Sequence, residues 1–153
     1  MQQFYAWYTK KLEDHSGGVF ADPNYLDPVR DLLDDRLYWL LKQEGINHPG
    51  STPRYAMECE PSENPFGLGQ MYSRIWSFAV GAAIGRGNAV VVPVTLFLGG
   101  TEAGHGPPGA ASKITVVVKD EAGTYKIYDI NEDGSQRQDL EKRAHDPNCA
   151  WPK

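Results

Sequence analysis

The sequence predicts an α+β domain in which N-terminal helices pack on a strongly curved antiparallel β-sheet. Two segments striped with aromatic residues or leucine at helical spacing occupy the first third of the chain, and four strand-like runs fill most of the second half. Glycine- and aspartate-containing turns separate the runs within each of two pairs, as hairpins require. Helices laid across one face of such a sheet can leave a pocket between the layers.

The first helix is expected over Gln3 to Asp14, with Phe4, Trp7, Tyr8 and Leu12 as its apolar face and Tyr5 at the margin; His15 to Gly18 end it. The second has a sharper start. Asp27 is a capping residue, Pro28 suits the first helical position, and Val29, Leu32, Leu33, Leu37, Leu40 and Leu41 recur at helical spacing up to a stop at Gly45. Asp31, Asp34 and Asp35 fall mostly on the other face and read as solvated charge. Asn47 to Gly69 is rich in Pro, Gly, Ser and Glu and reads as a long connection of the kind that often forms a binding surface or cover, with disorder as the alternative.

Strands are expected at Tyr72 to Ala83, Ala89 to Leu98, Lys113 to Lys119 and Thr124 to Ile130. Gly85 to Asn88 turns the first pair and Asp120 to Gly123 the second. Pro93 removes one amide from the ladder, so it belongs at an edge or a bulge. Gly99 to Gly109 is a glycine-rich loop between the hairpins, placed to line the mouth of a cavity. The domain thus spans residues 1–130, and 131–153 read as a mostly irregular tail, docked on it through Trp151 or, in the alternative, frayed.

A chain of 153 residues buries roughly 70% of its unfolded surface in one core, without help from metals or many disulfides. Fifteen Lys and Arg against twenty Asp and Glu leave a net charge of −5, which offers nothing to a nucleic-acid backbone or an anionic membrane. No run approaches the 20 or so apolar residues of a transmembrane helix. The start at Met1 shows no basic region, apolar stretch or cleavage site, so two expectations stand: a mature periplasmic or secreted domain, or a cytoplasmic protein. Cys59 and Cys149, if bonded, tie the tail to the middle of the chain, a cross-link over about 90 residues that contributes about 4 to 5 kcal/mol through the unfolded state. Two unpaired thiols are the alternative.

Three short segments carry a family resemblance: Phe4-Tyr5-Ala6-Trp7-Tyr8 near the start, Asn64-Pro65-Phe66 in the middle, and Thr124-Tyr125-Lys126-Ile127-Tyr128-Asp129-Ile130 near the end. With the element order, they resemble the cone-shaped superfamily named after nuclear transport factor 2, and within it an uncharacterised bacterial branch that is often exported or lipid-anchored. Tyr125 stands where that branch usually has tryptophan. The resemblance covers Gln3 to Ile130 and implies a curved sheet under helices. It transfers no catalytic residue, since the superfamily includes isomerases, dehydratases, toxin-neutralising proteins and plain binding domains.

Asp129 ends the last strand, on the face of Tyr125 and Ile127, where it is a candidate general base or ligand acceptor at a pocket rim; an aspartate that organises the following turn is the plainer reading. Asp129, Asn131, Asp133, Gly134 and Ser135 repeat the opening spacing of a calcium loop, but Leu140 occupies the position of the bidentate glutamate. Calcium is thus the one cofactor to consider, and none is the expectation. His105, between Gly104 and Gly106, is the candidate partner of Asp129 in acid–base chemistry. Gly81 to Gly87 lacks the phosphate-loop pattern and serves a hairpin.

The function the sequence favours is a noncatalytic domain, in the bacterial envelope, that binds a small apolar ligand or a protein partner. Trp7, Tyr8, Phe66 and Tyr125 are its expected contacts, and a homodimer is compatible with the sheet edges. The alternative is a small isomerase- or hydrolase-like enzyme built on a pocket carboxylate.

Overall fold

The computed structural model describes residues 1–14, 24–47, 74–99, 108–132 and 134–146. Helix α1 spans Gln2–Asp14, a 3-10 turn spans Asp27–Leu32, and α2 spans Asp35–Asn47. Strands β1 (Arg74–Val80), β2 (Ile84–Arg86), β3 (Ala89–Gly99), β4 (Pro108–Glu121) and β5 (Thr124–Asn131) follow, and α3 (Gln136–His145) comes last. The strands form one antiparallel sheet in the order β1-β3-β4-β5, with β2 also paired to β3. The chain is therefore α+β with its first helices on an antiparallel sheet, as the order of its apolar patterns predicts.

Alternation along the strands sets the two faces. Val92, Val94 and Leu96 of β3 and Ile114, Val116 and Val118 of β4 are buried, as are Ile127 and Ile130 of β5. They join Phe4, Tyr5 and Tyr8 of α1, Val29 of the 3-10 turn, and Leu37, Leu40 and Leu41 of α2 in one core. Phe4 and Tyr5 meet edge to face with ring centroids 5.2 Å apart, and Tyr5 meets Phe78 of β1 at 5.9 Å.

Several expectations need correction. The second helix is not continuous: Leu33 takes extended backbone (φ −100°, ψ 144°) and bridges Ile127 of β5, while the Asp34 amide donates to the Ile127 carbonyl at 2.8 Å. A tertiary hydrogen bond at the open side of β5 thus interrupts a stripe whose local pattern is unbroken. Asp34, not Asp27, caps α2, and Gly45 lies inside that helix. Asp34 is also buried, unlike the exposed Asp31 and Asp35.

The first expected strand divides at residues 81–83, between β1 and β2. Pro93 sits opposite this break, inside an interior strand instead of at an edge, and its carbonyl accepts from the Gly81 amide at 2.8 Å. The missing proline amide thus falls where no strand residue needs it. A Cβ on Gly81 would lie 2.8 Å from Pro93 Cγ, so the close approach requires glycine. Strand β4 begins at Pro108, extending into the expected loop, and pairs as far as Gly99 of β3.

Within the tail expected to be mostly irregular, Gln136–His145 is helical. Ser135 caps it by accepting from the Gln138 amide at 3.0 Å, and Leu140 is buried. The pattern Ser-x-x-Gln was the available signal. A single buried leucine in ten residues leaves no apolar stripe to read.

Candidate functional site

Strand β5 carries a bulge. Ile127 pairs with Val118 and Asp129 with Val117, leaving Tyr128 without a partner in the register. The extra residue puts Asp129 out of phase with Ile127, so the expected shared face of Tyr125, Ile127 and Asp129 does not form. Tyr125 sits opposite Asp120 near the end of the β4–β5 hairpin and is 61% exposed.

Asp129 is buried and its carboxylate is occupied. Oδ1 accepts from the Ile130 and Arg137 amides, each at 2.9 Å, and Oδ2 accepts from the Ser135 hydroxyl at 2.6 Å. With its amide oriented to donate, Asn131 Nδ2 adds bonds of 3.2 Å to Asp129 Oδ2 and to the Gly134 carbonyl. Four donors on two oxygens match the capacity of a carboxylate. The group ties the end of β5 to the start of α3, and the two Asp129 oxygens that the calcium spacing would offer to a cation are engaged by protein donors. Asp133 lies outside the described residues.

The second carboxylate centre was not foreseen. Asp34 Oδ1 accepts from the Leu37 amide at 3.0 Å and from Arg137 Nη1 at 2.5 Å. Arg137 Nη1 also donates to the Tyr128 carbonyl at 3.2 Å, and its guanidinium lies 3.9 Å from the Tyr128 ring centroid. Lys119 Nζ is 3.3 Å from the same centroid. Lys126, on β5, is 3.5 Å from both Asp35 and Glu121.

The Asp34 and Glu121 carboxyls face each other and shift in opposite senses. Burial works against the charge on Asp34, but the Leu37 amide, Glu121 and Arg137 outweigh it and hold its pKa below the usual carboxylate value. Glu121 is raised, first by its hydrogen bond with Asp34 and then by desolvation. Nearby, Arg36 of α2 grips Glu141 of α3 through two bonds of 2.8 and 2.5 Å, which lowers the Glu141 pKa. Asp34 and Arg137 are separated by 103 residues, so no short spacing announces them.

The aromatic candidates divide between core and surface. Tyr8 is fully buried in the core and Trp7 packs against its border. His105, Phe66, Cys59 and Cys149 lie outside the described residues.

The face of the sheet turned away from the buried row has its own pattern. Val91 of β3 stands between Ile84 of β2 and Val117 of β4; Pro93 stands opposite Thr115, and Phe97 opposite Ala111. These side chains are half-buried or exposed where described, and Ile84 is 55% exposed. Arg86, Ala89, Lys119 and Lys126 form the next row on the same face, and Lys113 pairs with Thr95 on the other side. On α3, Asp139, Lys142, Arg143 and Asp146 line an open concavity of about 260 Å³ with balanced charge.

Comparison with protein-family models, curated proteins and solved structures finds no match for this chain.

Proposed function

We propose that this chain is a noncatalytic binding domain that takes a protein segment on the face of its sheet turned away from the buried row. The observation that carries the reading is the outward strip of Ile84, Val91, Val117, Pro93 and Phe97, apolar side chains that lie outside the core cluster. Aromatic side chains of α1 are used differently. Phe4, Tyr5 and Tyr8 are spent on the core between helix and sheet, which favours an outer binding surface over an apolar ligand between the layers. Asp129, with both oxygens engaged by the β5–α3 junction, serves architecture better than proton transfer. The element order is compatible with the nuclear transport factor 2-like superfamily, whose binding members suit this reading.

A second reading rests on a separate observation. Asp34 and Glu121, shifted apart in pKa, have the form of an acid–base pair, so an isomerase- or hydrolase-like activity would use them in place of Asp129 and His105.

The test is affinity capture from source cells with wild-type, Ile84→Glu and Glu121→Gln chains. A partner retained by wild type and Glu121→Gln but lost from Ile84→Glu is the expected result. Capture indifferent to Ile84→Glu would overturn the binding reading.

A further inference from the structure

We infer that the segment bound on this face is acidic and extended, with acidic side chains about six positions apart flanking alternate apolar ones; the inference rests on the binding reading above. Along β4 the outward positions are Lys113, Thr115, Val117 and Lys119. Six residues of strand rise about 20 Å, so two cations bracket an uncharged stretch that an extended partner of about seven residues would span. Across the sheet, Arg86 stands in the row of Lys119, and Ile84 in the row of Val117.

Charge complementarity selects the chemistry. Among the described residues Arg86, Lys113 and Lys119 form no ion pair, whereas Lys126 in the same row is held by Asp35 and Glu121. Among the described residues three cations thus lack an acidic partner around one apolar strip, Lys119 resting on the Tyr128 ring, in a chain of net charge −5. A basic partner would meet like charge, and a wholly apolar one would leave the cations at the rim unanswered. Side chains of an extended segment alternate, so acids at positions i and i+6 and apolar residues at i+2 and i+4 present one face to the strip.

The probe is a capped peptide Gly-Asp-Thr-Val-Thr-Val-Thr-Asp-Gly, titrated into the whole chain and followed by amide chemical shifts. Shifts centred on β3 and β4 are expected. Binding should weaken about tenfold or more when both Asp are replaced by Lys, in Lys113→Glu, or in Ile84→Glu, and it should weaken with added salt. Equal binding of the Lys peptide overturns the inference. Failure of the Asp peptide, with partner capture still lost in Ile84→Glu, removes the acidic chemistry and leaves the binding reading standing. Capture unaffected by Ile84→Glu removes both. Sedimentation showing a wild-type dimer dissociated by Ile84→Glu would assign the face to a second copy and overturn the inference as well.

Discussion

Arg137 is held at two points: its backbone amide donates to Asp129 and its guanidinium donates to Asp34. Removing Asp34 leaves a largely buried cation without its counter-charge and uncaps α2, so Asp34→Ala should cost about 3 to 5 kcal/mol in urea unfolding. Asp129→Asn places an amide group among the donors at the β5–α3 junction and should cost about 1 to 3 kcal/mol, with faster hydrogen exchange in α3. The pH dependence has two opposing parts. Asp34 and Glu141 have lowered folded pKa values, so their stabilisation is present above the ordinary values of 3.8 and 4.5 and is lost as pH falls through the folded ones. Glu121 is raised, so its contribution is complete below 4.5 and fades as pH rises through its folded value. Glu121→Gln should therefore gain stability relative to wild type as pH rises from the acid range to neutrality, measured by urea midpoints; a difference independent of pH would refute the carboxyl pairing.

Elements are set by local pattern until a tertiary contact outweighs it. The turn between β4 and β5 has Ala122 at φ 54° and Gly123 at φ 86°, and Asp120 Oδ1 accepts from the Gly123 amide at 2.7 Å. Left-handed backbone costs a residue with a Cβ about 1 to 2 kcal/mol, so Ala122→Gly should raise stability by about 1 kcal/mol in thermal or urea unfolding. Gly81→Ala should have the opposite sign, costing about 1 to 3 kcal/mol, because its methyl meets the Pro93 ring and backbone at the β1–β2 break. Helix α1, the turn at Ala122-Gly123 and the cores of four strand runs were legible from periodicity and turn residues. The break at Leu33 was not, because its cause is the Ile127 carbonyl of a strand far along the chain.

At the scale of the molecule, one face of the sheet is committed to the core and the other carries half-buried or exposed apolar side chains, with Arg86, Lys113 and Lys119 outside any ion pair among the described residues. Ile84 contributes little to the core, so Ile84→Glu should change unfolding free energy by about 0.5 kcal/mol or less while abolishing partner capture. A large loss of stability would mean that the outer strip is structural. The charge contrast is visible only in three dimensions: Arg86, Lys113 and Lys119 are scattered in a sequence whose net charge is negative, and the strand register brings them around Val91 and Val117.

The sequence by itself determined the α+β class and the order of helices before hairpins, since these follow from periods of 3.6 and 2 that are local properties of the chain. It also placed Asp129 at the end of its strand, with the ordering of the next turn as the plainer role. Only the tertiary structure decided that Asp34 is buried, that Arg137 joins two carboxylates and that the tail returns as α3. The first two depend on Asp34 and Arg137, 103 residues apart, where no periodic pattern carries the information, and α3 has a local cap signal but no apolar stripe. The bulge at Tyr128 shows the same limit at its smallest scale: one extra residue in the register moves Asp129 to the other face, and pairing with β4, not the composition of β5, puts it there.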